Sequence, residues 1–126
     1  GLMFPPVDPR DVGYAAAAIA NECVFGGADH HGKCYEISGP EMLSVADMAR
    51  IFAQALDRPV THTPVSVDEY TATLPPALAQ LIHFMHDAGE SAIPFSPHGV
   101  GDLTGVEAMR LEDWVREHKG RFKREG

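Results

Sequence analysis

Residues 33–49 have the sequence KCYEISGPEMLSVADMA, which predicts a strand, a tight turn and a capped helix in direct succession. Residues 34–37 alternate in polarity and include side chains that favour strands. The Ser38-Gly39-Pro40 sequence ends this strand in a turn. Ser44 lies three residues before Asp47, a spacing typical of a capping box, in which each side chain binds a backbone amide at the helix N-terminus. The segment therefore predicts a mixed α/β fold.

The helix that begins after Ser44 should continue to Leu56, because its apolar side chains recur at the spacing of one helical face. The next strand is predicted at residues 60–65. A strand, a helix and a second strand in this order should form a parallel, right-handed β-α-β unit over residues 34–65.

A second capped helix is predicted upstream, after a short strand candidate at residues 4–7. Asp8 is a favoured N-cap residue, Pro9 suits the first helical position, and Asp11 lies where free backbone amides favour a carboxylate. We expect both aspartates to cap this helix rather than to transfer protons. The helix should run over residues 9–24, and its alanine-rich middle indicates close packing against a sheet or another helix.

The rest of the chain predicts a small helical part and a loop. A second capping box opens a helix at residues 67–74, and further helices are expected at residues 77–88 and 111–119. Residues 93–101 contain two prolines and two glycines, and they are therefore expected to form a loop.

Composition and charge exclude several classes of protein. With 126 residues and 44% hydrophobic content, residues 1–126 should form a single domain with a modest core. The formal net charge of −8 argues against nucleic-acid binding, because phosphate contacts need clustered Lys and Arg. The longest apolar run is too short to span a membrane, and the first residues lack a basic signal-peptide region, so we expect a cytoplasmic protein. The two cysteines lack the spacing of a zinc or redox site.

Few side chains in the sequence indicate a metal-binding, ligand-binding or catalytic role. His83 and His86 lie one helical turn apart, a spacing able to bind a metal, but two ligands do not make a site and no metal is expected. His30 and His31, in a glycine-rich loop, should be solvated. Arg10 lies in a first helical turn, where the helix dipole disfavours a cation, so we expect it to have a carboxylate or a ligand as its partner.

Three segments of the chain point to a known family: residues 7–12 (VDPRDV), residues 33–49 and residues 111–118 (LEDWVREH). Together they resemble the C-terminal, substrate-side part of NmrA-like proteins, which belong to the atypical short-chain dehydrogenase/reductase group. The resemblance extends over most of the chain. One departure is Met109-Arg110, which stands where the family often has a Thr or Ser opening the final helix.

The resemblance implies a partial Rossmann-type α/β fold, in which the chain supplies the last strands and a small helical lobe that closes over the substrate cleft. Residues 74–85 and the loop at residues 93–100 would form this lobe. NAD(P) would be bound by an N-terminal half that this sequence lacks. Because the sequence contains no glycine-rich dinucleotide fingerprint and no Tyr-x-x-x-Lys pair, neither a cofactor site nor a catalytic residue is expected here. The candidate substrate-binding residues are Arg10, His83, His86 and Phe95.

Two functions are compatible with these observations. In the first, the chain is the substrate-side domain of an NAD(P)-binding oxidoreductase or redox sensor and is inactive on its own. In the second, it is a standalone homodimeric module that binds small ligands or other proteins. The alanine-rich helix at residues 9–24 distinguishes them, because outside a complete Rossmann fold its face must be covered by self-association. We expect a homodimer with Tyr14, Ala17 and Ala18 at its interface.

Overall fold

The computed structural model describes residues 2–89 and 93–122, and within them it contains six α-helices and one pair of short strands. The strands, β1 (Met3–Phe4) and β2 (Leu43–Ser44), pair antiparallel with Met3 opposite Ser44. The helices are α1 (Pro9–Asn21), α2 (Val45–Leu56), α3 (Val67–Thr71), α4 (Pro76–Ala88), α5 (Gly99–Thr104) and α6 (Leu111–Glu117). No helix in the described part of the chain is both long and apolar enough to cross a membrane.

The predicted starts of α1 and α2 are confirmed. The Asp8 carboxylate accepts a hydrogen bond of 2.8 Å from the backbone N–H of Arg10. Ser44 Oγ accepts from the N–H of Asp47 at 3.1 Å, and the Asp47 carboxylate accepts from the N–H of Ser44 at 3.2 Å, so the capping box is complete. α2 also ends where predicted, before Asp57 in the left-handed conformation.

α1 ends at Asn21 rather than at residue 24, because the backbone changes its hydrogen-bonding pattern there. Residues Glu22–Gly26 form a π-helical turn, and Gly27 ends this turn with a φ of 67°. Glycine adopts that left-handed conformation at no steric cost. The helix therefore continues directly into the glycine-rich loop that follows it.

The predicted β-α-β unit is wrong in its strands. Neither residues 34–37 nor residues 60–65 form a strand, and β1 covers only the start of the strand expected at residues 4–7. A strand needs a neighbour for its backbone N–H and C=O groups, and the described residues give neither segment one. Pro5 and Pro6 limit β1 because proline has no N–H to donate. Of the predicted unit, only its helix α2 forms.

A helical lobe was predicted from residues 74–85 and the loop at residues 93–100, but in the structure the lobe consists of α3 and α4, which pack against each other. The Ser66 hydroxyl accepts a hydrogen bond of 3.1 Å from the N–H of Glu69, which confirms the predicted start of α3. α3 ends at Thr71 rather than at residue 74. None of the α4 residues is buried in the described part of the chain.

α5 forms within a segment that overlaps the predicted loop. Its glycine-rich sequence does not favour a helix, so packing rather than intrinsic propensity stabilises it. Val100 is fully buried, and the backbone oxygen of Glu36 passes so close to Gly99 that a Cβ atom there would overlap it. The helix therefore depends on contacts with a distant part of the chain.

The core lies between α2 and α6. Ala55 and Leu56 of α2 are buried against Val115 of α6, and a ring of partly buried side chains surrounds them: Phe52, Leu111, Trp114 and Phe122. α6 ends at Glu117, slightly before the predicted end, and a 3-10 turn at Lys119–Phe122 follows it. No side chain caps its start at Arg110, in line with the departure in the sequence.

Candidate functional site

An ion cluster joins the start of α1 to the end of α6. The Arg10 guanidinium donates to the buried Asp8 carboxylate, with Nη2 to Oδ2 at 2.6 Å and Nε to Oδ2 at 2.9 Å. It also donates to both oxygens of the more exposed Glu117, at 2.7 and 2.8 Å. Such bidentate pairs are among the stronger and more directional ionic contacts in proteins. The prediction that Arg10 has a carboxylate partner is confirmed.

The cluster shifts the protonation equilibria of its members. Hydrogen bonds from the Arg10 guanidinium lower the pKa of Asp8, against the opposing effect of burial, and they lower the pKa of Glu117. Donation to Glu117, which has the largest effect, and donation to Asp8 raise the pKa of Arg10. All three groups are therefore charged at neutral pH.

Replacing Asp8 with asparagine should destabilise the protein at neutral pH and much less in acid. The folded-state pKa of Asp8 lies below its ordinary value of 3.8, so its contribution is present above that pH and is lost as the pH falls through the folded-state pKa. At about pH 6.5 we expect a loss of about 1–2 kcal/mol in urea unfolding, since a charged hydrogen-bond partner is removed while a capping oxygen is kept. The difference should shrink towards about pH 2.5. A difference that stays constant with pH would contradict this, and Asp102→Asn, at an exposed carboxylate, is the control.

A small apolar pocket lies beside the cluster, with a volume of about 200 Å³. It is lined by Pro6, Val7, Asp8, Pro9, Met109, Leu111 and Trp114. Asp11 was expected to cap α1 together with Asp8, but its buried carboxylate instead accepts a hydrogen bond of 2.8 Å from the N–H of Met109 and fixes one wall of the pocket. Sites for whole small molecules usually enclose about 300–1,000 Å³, so this pocket has room for one small apolar group.

His83 connects the two helices of the lobe. Its Nε2 atom lies 3.1 Å from the hydroxyl of the buried Thr71 and 3.8 Å from the Asp68 carboxylate, both on α3. His86 is more peripheral, with Nδ1 at 3.3 Å from the carboxylate of the adjacent Asp87. No group of three or more His, Cys, Asp and Glu side chains that could hold a metal occurs in the described ranges.

The outer side of α4 is apolar. Leu78, Leu81 and Phe84 follow one another at intervals of three residues, so they lie along one side of the helix, and all three are exposed. We call these three residues the α4 stripe. His83 thus joins α4 to α3 through polar contacts, and the α4 stripe is exposed.

The loop that carries Phe95 is attached to the segment predicted as a turn. The buried Ser38 hydroxyl accepts a hydrogen bond of 2.9 Å from the N–H of Ser96, next to Phe95, and donates to the carbonyl of Gly39 at 3.0 Å. Phe95 itself is exposed. The sequence predicted this turn but gave no indication that Ser38 positions the loop.

The four candidate site residues occupy separate places. Arg10 lies at the start of α1, His83 and His86 lie on α4, and Phe95 lies in the loop before α5. Within residues 2–89 and 93–122, no hydrogen bond or ion pair joins Arg10 to the other three. Their role in substrate binding stays a prediction.

The chain is similar to known reductases over part of their length. No protein-family model matches the chain. The chain is 32% identical over 127 residues to a (4-alkanoyl-5-oxo-2,5-dihydrofuran-3-yl)methyl phosphate reductase from Streptomyces griseus subsp. griseus. That alignment covers 92% of the chain and 41% of the reductase.

Two solved structures of Citrobacter sp. triphenylmethane reductase share the fold. The structure in complex with NADP(H) has a TM-score of 0.66 at 21% identity, over 91% of this chain and 40% of that one. The second has a TM-score of 0.68 at 21% identity, over 94% and 41%. The chain thus spans about two fifths of the length of these relatives.

These matches define a partial Rossmann-type α/β fold of the kind found in NADP(H)-binding reductases, as predicted. The predicted resemblance to the C-terminal part of an NmrA-like, atypical short-chain dehydrogenase/reductase protein is confirmed.

Proposed function

We propose that this chain supplies the substrate-side part of an NAD(P)-dependent reductase of the NmrA-like group. The observation that carries the proposal is the 32% identity to the Streptomyces griseus reductase over 92% of the chain. The fold shared with triphenylmethane reductase supports it. Because the sequence contains no dinucleotide fingerprint, the nucleotide would be bound by residues outside this chain.

The substrate in this proposal is a small molecule with an extended apolar group. The Streptomyces relative is named for a substrate with an alkanoyl group, and the Citrobacter enzyme is named for triphenylmethane. The α4 stripe suits such groups, because burying one Leu or Phe side chain favours binding by about 1.5–3 kcal/mol. His83 and His86, on α4, would contact polar parts of the substrate, and Phe95, in the loop before α5, would contact its aromatic part.

Arg10 could bind the substrate only if one of its ion pairs were broken. Its guanidinium already donates to Asp8 and Glu117, so an anionic substrate group would have to displace Glu117, the more exposed of the two. Without such a displacement, Arg10 would act on the substrate only by holding α6 against the start of α1.

A segment exchange tests the proposal. The region of the Streptomyces reductase that matches this chain would be replaced by the chain itself, and NADPH oxidation would be measured with the substrate of the parent enzyme. We expect kcat/KM for that substrate to fall at least about tenfold, while the Kd for NADPH stays within about threefold of the parent. An exchange protein that keeps the parent's substrate preference would contradict the proposal.

Two variants of the exchange protein sharpen this test. Phe84→Ser removes the most exposed side chain of the α4 stripe, and it should raise KM for an apolar substrate about fivefold or more. Phe25→Ser removes an exposed phenylalanine from the turn after α1, and it should leave KM unchanged. Equal effects of the two substitutions would show that the stripe has no specific role.

We also propose that the isolated chain forms a homodimer in the cytoplasm. α1 exposes Val12 and Tyr14 together with Ala16 and Ala17, so it presents apolar side chains to a second copy. Cys23 and Cys34 are free thiols, the form that is kept in reducing compartments.

A further inference from the structure

Three side chains near the end of α1 form a hydrogen-bonded series that the proposed reductase function does not use. His30 Nδ1 lies 2.5 Å from the Tyr35 hydroxyl, and His30 Nε2 lies 2.9 Å from a Glu22 carboxylate oxygen. The imidazole side chain is only 12% exposed, although sequence reasoning expected His30 to be solvated. The Tyr35 residue is 36% exposed, so part of its side chain is accessible from solution.

The loop between α1 and Tyr35 builds this arrangement. Glu22 begins the π-helical turn, and the N–H of Ala28 donates to the Glu22 carbonyl at 3.1 Å. Gly32 adopts a φ of 70°, and the N–H of Lys33 donates to the His30 carbonyl at 3.1 Å, so the chain reverses its direction between His30 and Tyr35. Two left-handed glycines and a π turn therefore bring the three side chains together.

The hydrogen bonds define the protonation of the neutral imidazole. A carboxylate only accepts hydrogen bonds, so His30 Nε2 carries the proton and donates it to Glu22. His30 Nδ1 is then the acceptor for the Tyr35 O–H group. A hydroxyl that donates to a base, with the base oriented by a third group, is the arrangement that activates nucleophiles in enzymes.

We propose that Tyr35 is an activated phenol that accepts an acyl group from an activated acyl donor. Tyr35 Oη attacks the carbonyl carbon of the donor, and His30 Nδ1 takes the phenolic proton. The bond from that carbon to the leaving group breaks, and His30 returns the proton to the leaving group. The products are O-acyl-Tyr35 and the protonated leaving group, and the Glu22 carboxylate stabilises the imidazolium that forms between the two steps.

The other tyrosines provide internal controls. Tyr14 is 62% exposed and Tyr70 is 49% exposed, so both are more accessible than Tyr35. In the described part of the chain, only the Tyr35 hydroxyl is hydrogen-bonded to a histidine. Exposure alone therefore predicts the order Tyr14, Tyr70, Tyr35 for the rate of acylation, whereas activation by His30 places Tyr35 first.

Acetylation with N-acetylimidazole at neutral pH, followed by peptide mass spectrometry, distinguishes the two orders. We expect Tyr35 to be acetylated at least about tenfold faster than Tyr14, which is a modest part of the usual contribution of a general base. Hydroxylamine, which removes acetyl groups from tyrosine but not from lysine, excludes a signal from Lys33. Rates that follow exposure would overturn the proposal.

Substitutions test the two partners of Tyr35. His30→Gln should slow acetylation of Tyr35 about tenfold and leave Tyr14 and Tyr70 unchanged, while His31→Gln, in the same loop, should have no effect. Glu22→Gln keeps an oxygen that can accept from His30 Nε2 but removes the charge, so it should slow the reaction several-fold without disturbing the loop. If neither His30→Gln nor Glu22→Gln slows Tyr35, the phenol is not activated and the proposal fails.

Discussion

Replacing Gly39 with alanine should unfold the protein or destabilise it by about 3 kcal/mol or more. A Cβ atom at this position would overlap the carbonyl oxygen of Pro6 and lie 2.5 Å from its carbonyl carbon. Both are backbone atoms, so no side-chain rotation relieves the clash. The N–H of Gly39 also donates to the Pro5 carbonyl at 3.2 Å, and any shift that admits the methyl group would lengthen this bond. Urea unfolding, followed by circular dichroism, measures the effect.

Gly13→Ala is the matched control for this substitution. Gly13 lies inside α1, and nothing occupies the space within 4 Å of the position of its Cβ atom. The same chemical change should therefore stabilise the protein, by about 1 kcal/mol, because alanine is the better helix former. Similar effects of the two substitutions would contradict the close approach of residues 6 and 39.

Substituting Ala17 with aspartate should dissociate the proposed homodimer without unfolding its subunits. Ala17 is exposed on α1, so in a monomer the new carboxylate would be solvated and would cost well under 1 kcal/mol, about the difference in helix propensity. At a dimer interface the same carboxylate would be desolvated without a partner, which is strongly unfavourable. Light scattering would then report half the mass of the unsubstituted protein.

The control for this result is Ala46→Asp, at an exposed position in the first turn of α2, where a carboxylate is favoured by the helix dipole. It should change neither the mass nor the melting temperature. If the unsubstituted chain is a monomer at high concentration, the exposed side of α1 is not a self-association surface and the homodimer proposal is wrong.

Helix starts could be predicted from the sequence because the interactions that form them are local. The Asp8 cap spans two residues and the box of Ser44 and Asp47 spans three, so the residues that form each contact are visible in a short segment. The ends of the helices were predicted less accurately than their starts. α1 gives way to a π turn before residue 24, and nothing in the sequence of Glu22–Gly26 distinguishes that turn from ordinary helix.

The predictions of the strands and of α5 were wrong because these elements depend on contacts with distant parts of a protein, whereas helix starts depend on local contacts. Residues 34–37 have the composition of a strand but need a neighbour that the described residues do not supply. The chain spans about two fifths of the length of its reductase relatives. α5 forms in turn because Gly99 allows the backbone of Glu36 to approach closely, a contact that no local pattern indicates.

At the candidate site, too, the sequence predicted local effects but not contacts between distant residues. The helix dipole at the first turn of α1 predicted a carboxylate partner for Arg10, but it could not identify Glu117, which is 107 residues away in the chain. The contact of His83 with Thr71 follows from the packing of α3 on α4, and the bonds of His30 follow from two glycine conformations in its loop. Periodicity and motif spacing carry no signal for such contacts.

In the proposed function, this chain contributes the substrate side of a reductase and leaves nucleotide binding to other residues. Calorimetric titration with NADPH, carried out on the isolated chain and on the segment-exchange protein, tests this division. We predict no binding heat from the isolated chain and binding by the exchange protein with nearly the affinity of the parent reductase, because the sequence contains no dinucleotide fingerprint. A micromolar or tighter Kd for the isolated chain would show that the chain itself binds the nucleotide, and the proposed division would then be wrong.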